Sequence, residues 1–184
     1  MAPTRSPTRV RLAATFFVLL TSLVVTSRAD TAFAKAVPRC QETQLDVMIT
    51  SDGAAAGHVG DLIVIANVGA NACSVEGYPT VKMSGGPSVV ASVARKTKNG
   101  YLGGTGPIIA IPVVTLRAHG GAASAIVEGT DVPVGNAVGC LIFTKMSVTL
   151  PRLGPAYRFN TKFSGCSRPE VHPFVRGAKG LPYK

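Results

Sequence analysis

Apolar positions along this chain fall in short runs separated by turn residues. No window keeps the helical i, i+3, i+4, i+7 spacing for more than about two turns. The pattern predicts strands. LDVMI at 45–49 is closed by the polar turn Thr50-Ser51-Asp52-Gly53, and DLIVIAN at 61–67 has the β-branched centre of a buried strand. After the turn 69–73, Gly77-Tyr78-Pro79 interrupts the next strand, and proline confines that piece to an edge or bulge. Further strands are expected at 89–94, 108–116 (edge or bulged, because of Pro112), 122–128 and 141–150. YRFNTKF at 157–163 alternates, with Tyr157, Phe159, Thr161 and Phe163 on one side and Arg158, Asn160 and Lys162 on the other. About seven to nine short strands without an internal repeat predict an all-β fold, an antiparallel immunoglobulin-like β-sandwich, with a closed barrel as the alternative.

The first 34 residues read differently. Arg5, Arg9 and Arg11 precede the uncharged run LAATFFVLLTSLVV at 12–25, and Ala32-Phe33-Ala34 comes after it as a small-x-small site. Fourteen residues rise only about 21 Å as a helix, short of the ~30 Å hydrocarbon core. The expectation is a signal peptide at 1–34, cleaved after Ala34 or Ala29, and a single β-sandwich domain at 35–184 with its core in 40–177. The alternative is an uncleaved anchor. If the segment is cleaved, membrane contact is at most peripheral. The expected location is secreted or extracytoplasmic, with cell-wall association open.

Composition adds two constraints. Charged residues make up 15% and hydrophobic ones 46% of the 184 residues, which excludes a disordered chain. Residues 1–34 hold Arg5, Arg9, Arg11, Arg28 and Asp30, so the remaining 150 keep 15 of 19 basic and 8 of 9 acidic side chains, net +7. The four cysteines, Cys40, Cys73, Cys140 and Cys166, contain no C-x-x-C and predict two structural disulfides in an exported chain. Three pairings are possible. The favoured one joins the first strand to the last through Cys40–Cys166, with Cys73–Cys140 inside that loop.

Candidate chemistry is sparse. Three isolated histidines, His58, His119 and His172, lack the paired spacing of a metal site, and Met48, Met83 and Met146 sit where core packing is expected. Neither a Gly-x-Ser-x-Gly elbow nor a distinctive carboxylate pair occurs, so no catalytic residue, metal or cofactor is assigned. The dense cationic cluster is Arg95-Lys96-Thr97-Lys98, and Tyr101 is the one aromatic beside it, too few for nucleic-acid stacking. The loop 95–106, with Arg95, Lys96, Lys98 and Tyr101, is the expected contact surface.

Several fragments together resemble one family. They are Gly53-Ala54-Ala55-Ala56-Gly57-His58, Asn67 ahead of Cys73, Gly77-Tyr78-Pro79-Thr80-Val81, Leu116 ahead of Gly120-Gly121-Ala122, Cys140, Cys166, and Val171-His172-Pro173-Phe174-Val175 with Gly177. The set resembles the domain of unknown function numbered four-two-three-two, a secreted or lipid-anchored module common in actinobacteria. That resemblance implies an immunoglobulin-like sandwich outside the cytoplasm and no activity. The chain departs from lipid-anchored members, because Val37-Pro38-Arg39 ahead of Cys40 is no lipobox. The resulting expectation is an exported, non-enzymatic envelope module binding a protein, a glycan or an anionic lipid. The competing class is a hydrolase or metal-dependent activity assembled from distant residues such as His58, His119 and nearby acids.

Overall fold

The computed structural model describes residues 36–86, 89–107, 110–133, 135 and 139–181, all within the unit Lys35–Lys184. The signal segment expected at 1–34 lies outside the described residues. After a 3-10 turn at Glu42–Gln44 the strands are β1 (Leu45–Ala55), β2 (His58–Asn67), β3 (Cys73–Glu76), β4 (Thr80–Ser84), β5 (Ser92–Val93), β6 (Arg95–Lys96), β7 (Val113–Leu116), β8 (Gly121–Thr130), β9 (Leu141–Thr149), β10 (Ala156–Gly165), β11 (Glu170–Val171) and β12 (Val175–Arg176). Eight of them have four or more residues, within the expected seven to nine. The fold is all-β and sandwich-like.

The larger sheet runs β1-β2-β8-β11-β6, with β12 also paired to β8; the second runs β10-β9-β4-β5, and β3 pairs with β7. Every pairing is antiparallel except β11 with β6, which is parallel. Alternation sends Ile63 and Ile65 of β2, and Ala123, Ala125 and Val127 of β8, to one face. They share a core with Val81 and Met83 of β4, Phe143, Met146 and Val148 of β9, and Phe163 of β10. The small alanines of β8 face the large side chains of the second sheet. The alternation expected in β10 holds across a bulge between Asn160 and Phe163.

Three expectations are corrected. The turn expected at Thr50–Gly53 is a bulge inside β1, between Ser51 and Gly53, and the reversal comes at Ala56-Gly57. Both of those residues have positive φ, 50° and 83°, as a two-residue hairpin turn requires. The strand expected at 89–94 is reduced to the two residues of β5. Met48 faces solvent at 41% exposure, whereas Met83 and Met146 are core.

The disulfides are Cys40–Cys73 and Cys140–Cys166, with Cα–Cα distances of 4.7 and 4.2 Å, and not the first-to-last pairing expected. The reason is strand neighbourhood. The segment before β1 lies along β3, where the Cys40 amide donates to the Ser74 carbonyl (3.0 Å) and the Ser74 amide to the Pro38 carbonyl (2.8 Å). Cys140 and Cys166 immediately flank the paired ends Leu141 and Gly165 of the β9–β10 hairpin. Each bridge therefore closes a local loop, of separation 33 or 26, and two such bridges are the mark of an oxidising, extracytoplasmic compartment.

One buried carboxylate belongs to the core face. Asp61 is held by the Thr161 hydroxyl, which donates to its Oδ2 (2.9 Å) across the two sheets. Burial raises its pKa above the ordinary 3.8, partly offset by that hydrogen bond. The ionised form is thus disfavoured on folding, and stability falls as pH rises from the ordinary value through the folded one. Asp61→Asn is expected to raise the thermal midpoint at pH 7 and to leave it unchanged well below pH 3.8; a lower midpoint at pH 7 refutes this reading. Non-reducing peptide mapping is expected to return Cys40–Cys73 and Cys140–Cys166 fragments. Replacing Cys40 and Cys73 together with alanine should cost about 2–4 kcal/mol in denaturant unfolding.

Candidate functional site

The larger sheet has a second apolar face. Leu62 and Val64 of β2 and Ile126 of β8 point away from the main core and form their own cluster, packed against Leu102. Exposed, that patch would be a liability. Two chain segments cover it. The C-terminal segment is tied down by Ser124, whose hydroxyl donates to the Gly177 carbonyl (2.6 Å) and accepts from the Gly180 amide (2.8 Å). The loop after β6 crosses the same face and seats Leu102 over Gly60, where an added Cβ would stand 2.8 Å from Leu102 Cδ1.

Glu128 anchors that loop. Its carboxylate accepts the Tyr101 amide at Oε1 (2.9 Å) and the Leu102 amide at Oε2 (2.7 Å). Behind it, fully buried His172 places Nε2 3.3 Å from Glu128 Oε1 and Nδ1 3.3 Å from the Thr97 carbonyl. Burial alone would raise the Glu128 pKa. His172 at 3.3 Å and the Leu102 and Tyr101 amides together outweigh it, and the carboxyl lies below its ordinary 4.5. Sequence reading missed this pair. The available signal was a carboxylate inside the apolar strand run AASAIVEG at 122–129, where only a partnered acid is tolerated.

The glycines of the loop have a packing role. A Cβ at Gly100 would overlap Glu128 Oε1, and one at Gly103 would overlap Ile126 Cδ1. The loop is glycine-rich because its backbone lies flat on the sheet. Of the expected contact residues, Arg95 is exposed and ion-paired with Glu170, while Lys96 and Lys98 are exposed. Tyr101 is 59% exposed and stacks on His58 with centroids 4.1 Å apart. Arg95 and Lys96 sit in the edge strand β6, and Tyr101 lies over the start of β2.

His58 and His119 do not meet. His58 pairs with Thr130 at one end of the β2–β8 ladder, while His119 precedes Gly121, the partner of Asn67 at the other end. Nine residues of strand separate the ends, about 30 Å. Among the described residues no group of three or more His, Cys, Asp or Glu is arranged to hold a metal.

Charge is sharply partitioned between the sheets. Strands β4, β5, β9 and β10 contain no Asp or Glu, and they carry Lys82, Lys145, Arg158 and Lys162, all exposed. Register sets the first three in rows on the face away from the core: Thr80–Thr149–Ala156, then Lys82–Ser147–Arg158, then Ser84–Lys145–Asn160. The Arg–Glu ion pairs of the described residues lie elsewhere, at Arg39–Glu76 and Arg95–Glu170. A cleft of about 300 Å³ opens on this face, lined by Ser84, Lys145, Ser147, Arg158 and Asn160. A second, of about 480 Å³, is lined by Tyr78, Thr80, Lys96, Thr149 and Arg152, with Glu76 at its wall.

The family described as "Domain of unknown function (DUF4232)" matches residues 40–174. The chain belongs to it. Searches among curated proteins and among solved structures returned no match. Within the DUF4232 domain some of the fragments that suggested the family meet in space. The Phe174 amide donates to the Gly77 carbonyl (2.9 Å), joining the His-Pro-Phe and Gly-Tyr-Pro segments. Buried Asn67 donates to the Asn71 (2.9 Å) and Leu116 (3.2 Å) carbonyls and accepts the Gly69 amide (2.9 Å), closing the turn before Cys73 as expected. Residues 171–175 are all buried, so that segment packs back on the domain.

Because the Glu128 pKa is depressed, its contribution to stability is present above 4.5 and is lost as pH falls through the folded value. Glu128→Gln turns one acceptor into a donor facing an amide or His172, and should cost about 2 kcal/mol at pH 7. A pH series of thermal unfolding is expected to show the parent losing stability below 4.5 while the variant curve is flatter there. Parallel curves for the two proteins contradict the assignment.

Proposed function

We propose that this DUF4232 domain is an exported, non-enzymatic module of the cell envelope that binds an anionic partner. One observation carries the reading: four exposed cations and no acid on the strands of the four-stranded sheet, in a chain whose acids are confined to the other strands and connections. An unbalanced field of one sign concentrates ligands of the opposite sign. Hydroxyls of Thr80, Ser84, Ser147 and Thr149 interleave with the cations and suit a hydrogen-bonding, polyhydroxylated partner. Lys96 of the expected contact loop lines the second cleft and belongs to this surface, whereas Arg95 is engaged by Glu170. A hydrolytic reading has less support, since His58 and His119 stand at opposite ends of a ladder.

Retention on purified cell-wall material across a salt series tests the proposal. Neutralising Lys82, Lys145, Arg158 and Lys162 to glutamine is expected to remove most salt-sensitive retention. Neutralising Arg168, Arg176 and Lys179 serves as the comparison. Charge reversal at Arg95, Lys96 and Lys98 measures the loop, and a loss confined to that variant moves the contact surface there. Equal retention by the sheet variant and the parent, at matched thermal midpoints, rejects the four-stranded face.

A further inference from the structure

The two clefts are the ends of one track. Thr80 and Thr149, a register pair, line the larger cleft and also begin the outer rows of the four-stranded sheet. Two residues on along β4 comes the Lys82–Ser147–Arg158 row, and two further the Ser84–Lys145–Asn160 row that lines the smaller cleft. At a rise of about 3.3 Å per residue, the outer rows alone cover about 13 Å, before the depth of either cleft is added. Along this path the side chains run Lys96 and Arg152, Thr80 and Thr149, Lys82 and Arg158, then Lys145 with Ser84 and Asn160. Cationic and hydroxyl or amide groups are interspersed over the whole length. The one acid at the track, Glu76 in the wall of the larger cleft, is engaged by Arg39 (3.8 Å).

We infer that this track binds a single linear chain of an acidic polysaccharide, lying along β4, β9 and β10 with its two ends in the two clefts. The inference rests on the anionic partner proposed above and specifies its form. A repeating acid supplies a carboxylate to each cationic row, and sugar hydroxyls meet the interleaved Ser, Thr and Asn groups. A bilayer surface fits less well. It is flat and would leave recesses of about 300 and 480 Å³ unfilled, whereas one chain can enter both. A chain spanning several weak subsites gains affinity with length, since each added contact is made at high effective concentration.

Titration of the disulfide-bonded protein with oligogalacturonates from monomer to octamer, at low and physiological salt, tests this. Affinity is expected to rise at least tenfold from dimer to hexamer, then level off, and to weaken with salt as exposed charge pairs do. Lys145→Gln with Arg158→Gln, and separately Lys96→Gln with Arg152→Gln, should each cut hexamer affinity about tenfold, and each variant should lose the gain with length. Thermal midpoints within a degree or two of the parent establish that both variants are folded. Equal binding of monomer and hexamer overturns the track while leaving an anion site. Loss on one cleft variant alone also overturns it. Binding to anionic vesicles without binding to any oligosaccharide overturns it in favour of a membrane surface. Absence of binding to both probes overturns the track together with the anionic partner on which it rests.

Discussion

The ladder between β2 and β8 is the constraint on which the rest of this domain depends. Its ten register pairs place apolar side chains on both faces: Ile63, Ile65, Ala123, Ala125 and Val127 toward the second sheet, Leu62, Val64 and Ile126 away from it. A sheet with two apolar faces needs two covers. The four-stranded sheet supplies one. The other is irregular chain, the loop after β6 and the C-terminal segment, and irregular chain has backbone polar groups that must be satisfied when it lies on a buried surface. Glu128 and Ser124 are polar side chains on that face, and each takes up backbone groups of one covering segment. His172 then supports Glu128 from the C-terminal side, so the two covers are linked through one carboxylate.

This arrangement makes the two outer faces unlike. The outer face of the larger sheet is occupied by the molecule's own chain, and the loop rich in glycine and cations is part of that cover. The outer face of the four-stranded sheet carries no such cover among the described residues, and its rows present Lys82, Lys145 and Arg158 beside hydroxyl groups. Acids would neutralise that face, and the strands that build it contain none. Rigid strands hold the cations at fixed spacing.

The disulfides act locally within the same plan. Cys40–Cys73 fastens the entry segment to β3, beside the turn closed by Asn67. Cys140–Cys166 clamps the open end of the β9–β10 hairpin that carries part of the cationic face. Neither bridge spans the sandwich from first strand to last, so the overall closure is left to the shared core and to the return of residues 171–175 onto β8.

By itself the sequence determined the features that depend on local rules. Period-two runs and Gly, Pro and Asn turns specify strands because side chains alternate every residue and few residues tolerate tight reversals. Hence the strand class, the break at Gly77-Tyr78-Pro79, the Asn67 turn and the alternation of 157–163 were legible, as were the family and the presence of two disulfides. The cysteine pairing was not, because it depends on which strands are neighbours, and Cys40 lies against β3 instead of against the last strand. Nor was the role of the glycine-rich loop, since flexibility and close approach to a sheet demand the same residue; only the position of Glu128 and Ile126 beneath Gly100 and Gly103 separates them. The cationic face was equally hidden. Lys82, Lys145 and Arg158 are scattered along the chain, and register between β4, β9 and β10, a long-range property of the packed sheets, is what aligns them.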